Sequence, residues 1–168
     1  MKTATEIAKW FVQKHPDLKF PSKEGAIKLQ KLLFFTWLIH FRKYGESLFD
    51  DDFFAFEKGP VVETVRLKYN SNFSQFLEQG VDYSNEEAIS LKLSYDIFGS
   101  ATAKELEDLS HNSPVWNKYF TRSLMGSSCD GYKDKYLSKI PKSELDEELE
   151  MIDTVIYVHE NMLAMESN

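Results

Sequence analysis

Four histidines and one cysteine are the residues of this chain best suited to acid–base, nucleophilic or metal chemistry, and their spacing argues against all three. His15, His40, His111 and His159 fall in four separate predicted elements, and no pair has the i, i+4 separation that puts two imidazoles on one helix face for a metal. Cys129 lies in a Gly- and Ser-rich stretch read as loop, and a pairing with His111 lacks the sequence context of papain-like or caspase-like enzymes. Asp50-Asp51-Asp52 has the composition of a divalent-cation site. Consecutive residues of an extended segment point to opposite faces, however, so a solvated acidic turn is the simpler reading. Gly59-Pro60 has no glycine-rich phosphate loop around it. Without a nucleophile, a base and an oxyanion site at workable spacing, the expectation is a protein that is not an enzyme and holds neither cofactor nor metal.

The elements that would position these residues are helical. Thr3 with Glu6 has the capping-box pattern, and Ile7, Trp10 and Phe11 keep helical spacing until His15-Pro16, which predicts a helix over about residues 4–14. Ser22 can cap a second helix whose apolar positions, from Ile27 through Leu29, Leu32, Leu33, Phe35, Trp37 and Leu38 to Phe41, go nearly all the way round. Such a helix belongs at the centre of the molecule, and Gly45 suits its end. Residues 48–58 read as a short strand or extended ribbon. Gly59-Pro60 reads as a turn opening a helix through Val61, Val62, Val65 and Tyr69. A brief helix over Phe73 to Glu78, two further capped helices from Ser84 and Thr102, and one from Ser113-Pro114 follow. Residues 126–142 read as a polar loop, and Ser143 with Asp146 as the cap of a last helix over 143–166. That helix carries a coiled-coil-like seam of Leu145, Leu149, Ile152, Ile156, His159 and Leu163. The whole predicts a mainly α, compact single-domain bundle of about six to eight helices with a short strand or ribbon near residues 48–58.

With 168 residues, 42% hydrophobic and 14% aromatic, the chain has the apolar bulk to fold without disulfides, and a lone cysteine suits a reducing compartment. The N-terminus lacks the apolar core of a signal peptide, and Leu32 to Phe41 is too short to span a bilayer, so the expectation is a cytoplasmic protein with no membrane segment. The net charge of −7 hides an asymmetry: residues 1–45 sum to +6 and the remainder to −13, with −8 after Lys142 alone. A basic partner would be steered to the acidic end, although a solvated face that aids solubility has the same composition. The basic first quarter, interleaved with Trp10, Phe11 and Phe20, has the chemistry of a nucleic-acid binder. A sequence pI near 5.1 and the absence of a reader motif speak against it.

Lys28-Leu29-Gln30-Lys31-Leu32-Leu33-Phe34-Phe35, then Tyr44-Gly45, Leu48-Phe49, Phe53 to Phe56 and Gly59-Pro60-Val61-Val62, with Leu109-Ser110-His111 and Trp116 downstream, resemble in order and spacing the Panacea domain, the SocA-like, phage-associated antitoxin family. The resemblance covers roughly residues 3–125. Phe56 stands where the family commonly has Trp, and Pro114 is one place early. The resemblance implies a compact helical fold and an antitoxin that neutralises a small protein toxin by direct association. An adaptor delivering a bound protein to a protease is the alternative, and nucleic acid is a lesser one. Leu29, Leu32, Leu33 and Trp116 read as core, Gly59-Pro60 as a special backbone position, and His111 as a cap or core hydrogen-bonding group. Lys28, Gln30, Lys31 and Glu57 read as surface contacts, because helices expose polar positions between apolar ones. Glu147, Glu148 and Glu150, with Met151, Met162 and Met165, are the candidate contacts in the acidic tail for a toxin of basic character.

Overall fold

The computed structural model describes residues 1–130 and 139–167, excepting the side chains of 123–130. Helix α1 (Ala4–Lys14) has the expected bounds and opens with the full capping box: Thr3 Oγ1 accepts from the Glu6 N–H, and the Glu6 carboxylate accepts from the Thr3 N–H. Asp51 supplies a second cap. Its Oδ1 accepts from the Ala4 N–H at 2.8 Å while Oδ2 accepts from Thr64 Oγ1 at 2.9 Å. The middle of the acidic run is therefore a tie across the fold, where a solvated turn was expected.

Helix α2 (Lys23–Tyr44) is capped by Ser22 and closed by Gly45 at φ 68°, the left-handed value that glycine takes without strain. Its apolar residues surround the axis, so burial on all sides is the only arrangement that removes them from water. The chain wraps it accordingly: Leu29, Leu32, Leu33, Phe34, Phe35, Trp37, Leu38 and Ile39 are all buried. Helices α4 (Asn85–Phe98) and α5 (Ala103–Ser110) pack against it. Buried serines on α4 meet polar groups of α2, with Thr36 Oγ1, which donates to the Leu32 carbonyl, lying 2.7 Å from Ser94 Oγ and His40 Nδ1 lying 2.8 Å from Ser90 Oγ.

The ribbon is a hairpin. Strands β1 (Phe53–Phe56) and β2 (Gly59–Val62) pair antiparallel across the two-residue turn Glu57-Lys58, and β3 (Lys139–Ile140) pairs with the other side of β1. The helix expected to open at Pro60 starts only at Glu63, as α3 (Glu63–Ser71). Val61 and Val62 are β-branched residues that suit a strand. Pro60 is tolerated because β2 is a sheet edge, where an edge strand can place a proline without losing a ladder bond.

Two later boundaries also move. Helix α6 (Pro114–Asp130) begins where Ser113-Pro114 predicts but continues past Gly126, so Cys129 lies in a helix, and residues 131–138 of the expected loop fall outside the described residues. The last helix, α7 (Leu149–Glu166), begins six residues after Ser143. A 3-10 helix over Lys142–Glu148 precedes it, and its three-residue repeat turns Leu145 and Glu148 to the same buried side. Seven α-helices, three 3-10 helices and one three-stranded sheet are the regular elements among the described residues. None of these helices is long and apolar enough to cross a membrane.

Candidate functional site

The polar residues of α2 nearest the hairpin point inward. Lys28, Gln30 and Lys31, expected at the surface, are only 5%, 6% and 1% exposed. The correction has one cause. On a helix enclosed on every side, polar positions between apolar ones have no solvent to face, so they must satisfy backbone groups instead. Gln30 does so at both ends of its amide: Oε1 accepts from the Val62 N–H at 2.8 Å and Nε2 donates to the Val62 carbonyl at 3.1 Å. The side chain thereby acts as a one-residue strand partner covering the edge of β2. Lys31 Nζ donates to the Pro60 carbonyl at 2.8 Å, and burial pushes its ammonium down to about 7. Lys28 Nζ donates to the carbonyls of Gly99 and Ala101 at 2.8 and 2.7 Å, binding the C-terminal end of α4 where a cation is favoured.

The far end of the hairpin is held by the Trp116 and His111 elements. Trp116 Nε1 donates to the Phe56 carbonyl at 2.8 Å, His111 Nε2 lies 3.1 Å from the Glu57 carbonyl, and the two rings stack with centroids 4.4 Å apart. Glu57 is exposed at the tip, as expected. Gly59 has φ 111°, and a Cβ built there would overlap Ser110 Oγ and come within 2.9 Å of Lys31 Cε, so this position requires glycine on two counts. Leu29, Leu32, Leu33, Gly59, Pro60 and Trp116 are all buried, and His111 is half-buried. The motif residues thus converge on one structure, a hairpin clamped to α2 on one side and to the α5–α6 corner on the other. Beside it lies an open, largely apolar groove of about 520 Å³ lined by Ile27, Phe56, Val61 and Arg66.

At the acidic end, Glu147 and Glu150 are exposed but Glu148 is completely buried, which corrects its place among the surface candidates. Its Oε1 accepts from Ser113 Oγ at 2.8 Å and from the Val115 N–H at 3.2 Å, so it caps the first turn of α6, while Oε2 has no hydrogen-bond partner among the described residues. Burial raises its carboxyl above the usual range. A run of acids gives no clue to which member faces inward; the capping geometry at Pro114 does.

Charge pairing and burial together account for five of the nine Lys and Arg in residues 1–45. Lys2 reaches Glu87 at 3.5 Å, Lys9 reaches Glu78 at 3.6 Å and Arg42 reaches Asp153 at 2.6 Å, while Lys28 and Lys31 are buried. These five do not form an exposed basic stripe of the kind that tracks a phosphate backbone. The histidines are likewise engaged apart from one another: His15 with the Gly99 carbonyl, His40 with Ser90, His111 with Glu57, and His159 at the α7 groove.

No curated protein and no solved structure matches the chain. A family model does, that of the antitoxin SocA-like Panacea domain, over residues 29–117. The matched span is narrower than the resemblance read from sequence. It begins on α2 at Leu29 and ends just past Trp116, so it contains the hairpin and nearly every contact that clamps it. With more than half of its length inside that model, the chain belongs to the SocA-like, Panacea-domain antitoxin family.

Proposed function

We propose that this protein is an antitoxin of a toxin–antitoxin system that neutralises a small protein toxin in the cytoplasm by direct binding, as one folded domain and without catalysis. The observation that carries this reading is the family match over residues 29–117. The geometry supports it in a particular way. The matched residues spend their polar groups on backbone carbonyls and amides of the hairpin, which is the work of a scaffold. A scaffold common to antitoxins of different toxins leaves discrimination to surfaces outside it, and in this chain the acidic α7 lies outside the match. Glu57, Glu147 and Glu150 are exposed and remain candidate toxin contacts.

The test is expression of each small open reading frame that neighbours the gene, with and without this protein. Growth arrest by one of them, relieved by the protein and accompanied by a purified complex of the two, is the expected outcome. If no neighbouring product arrests growth in a manner this protein relieves, the antitoxin reading fails. Relief accompanied by protease-dependent loss of the toxin would instead identify delivery for degradation.

A further inference from the structure

Helix α7 closes the core with only its first half. Ile152 is fully buried and Val155 and Ile156 half-buried, whereas Tyr157, Val158, Met162, Leu163 and Met165 are 66%, 49%, 56%, 51% and 77% exposed. Five of the ten exposed large hydrophobics among the described residues therefore lie within nine positions of one helix. Between this half of α7 and the end of α4 runs a groove of about 750 Å³. Its apolar floor is Ile97 with Val155, Val158, Met162 and Leu163, a helical spacing that presents one continuous stripe. Its charged lining is Asp96 on one wall and Glu166 on the other, with no Lys or Arg among the lining residues.

Resting on the antitoxin reading, we propose that this groove is the toxin-docking surface and that its occupant is a basic amphipathic helix of the partner, laying its apolar face on Val158, Met162 and Leu163 with Lys or Arg side chains beside Asp96 and Glu166. Charge decides among the occupants. A second copy of this chain would bring a helix that carries Glu150, Asp153, Glu160 and Glu166 and no Lys or Arg, placing like charges across a dehydrated seam. A basic helix removes that repulsion and is steered to the site by the same acids. Methionine at the centre suits a surface that adapts to its partner.

The experiment uses the full chain and a synthetic amphipathic helix of about five turns with a leucine stripe flanked by lysines, beside a twin with glutamates in place of the lysines. Binding of the lysine peptide should shift backbone amide resonances of residues 96–100 and 154–166. Met162→Ser with Leu163→Ser should weaken it by at least about tenfold without lowering the urea midpoint, because both side chains are exposed. Asp96→Lys, which leaves α7 untouched, should weaken the lysine peptide and strengthen the glutamate twin. Equal binding of the two peptides, shifts elsewhere, no binding, or a concentration-dependent dimer abolished by the serine variant would each overturn the proposal. In growth assays, neutralisation that survives the serine double variant overturns the docking surface and leaves the antitoxin reading standing. Failure to neutralise any neighbouring toxin overturns that reading, and the peptide experiment then judges the groove by itself.

Discussion

A carboxylate buried as fully as Glu148 is stripped of hydration on one oxygen and given two donors on the other, so its ionised form is costly in the fold. Its carboxyl holds its proton to higher pH in the folded chain than in the unfolded one. Between the two titrations the folded state binds more protons, so this group's contribution to stability falls as pH rises above the ordinary carboxylate value of 4.5. Glu148→Gln should remove that decline while keeping the acceptor for Ser113 and Val115, and Glu148→Ala should cost about 1–3 kcal/mol by uncapping α6. Urea unfolding of the three proteins at acid and neutral pH measures both effects. Lys31 has the opposite sign. Its ammonium titrates at about 7 in the fold against 10.5 unfolded, so the unfolded chain binds more protons within that window and stability rises with pH across it. From pH 7 to pH 9 the gain should be roughly 2 kcal/mol, and Lys31→Met should abolish most of it. Lys28 and Lys142 are also lowered by burial and contribute with the same sign. A Lys31→Met protein with an undiminished slope would mean that the ammonium is hydrated.

Helices announced themselves in the sequence because their signals are local: a capping box, a 3.6-residue stripe and a glycine stop all lie within a few turns, and α1, α2 and α4 form where those signals stand. The hairpin was half legible. Its first strand read as an extended ribbon, but Pro60 is an equally good helix opener, and the pairing of β2 with β1 and with Gln30, which lies 32 positions before Val62, decides for a strand. For the same reason Lys28, Gln30 and Lys31 could not be placed from their helix alone. The acceptors that draw them inward lie on β2 and at the α4–α5 turn. At this scale the central position of α2 makes Leu32→Ala or Leu33→Ala cost about 2–5 kcal/mol in urea unfolding, and a loss under about 1 kcal/mol would contradict their complete burial. The clamp predicts a different pattern for Trp116→Phe. It retains most of the ring but leaves the Phe56 carbonyl without its indole donor, so stability should drop by about 1–2 kcal/mol, with hydrogen exchange rising first in the hairpin and only later in α2.

Across the whole molecule, the split between a basic first quarter and an acidic remainder becomes an internal complementarity, with Lys2, Lys9 and Arg42 set against acids of later elements and two more lysines buried. On α7, Glu150, Glu160 and Glu166 are exposed and no Lys or Arg occurs, while Lys14, Lys19, Lys23 and Lys43 of the first quarter are exposed as well. The tail's charge was therefore readable from sequence, whereas the buried role of Glu148 within it was not, because it depends on where α6 begins. A charge at a rim acts mainly on the rate of encounter, while a group against the docked partner also acts on the rate of escape. Two double variants separate these roles on the cognate toxin. Glu147→Gln with Glu150→Gln, near the start of α7 and away from the groove lining, should slow association and flatten its salt dependence with little change in dissociation. Glu160→Gln with Glu166→Gln, which includes a residue of the groove wall, should slow association to a similar degree and also speed dissociation. All four side chains are exposed, so the urea midpoint should stay within the range of ordinary surface changes, roughly 0.5 kcal/mol, in both. Association rates at low and at physiological salt that match the unaltered protein in both variants would show that α7 serves only to close the core.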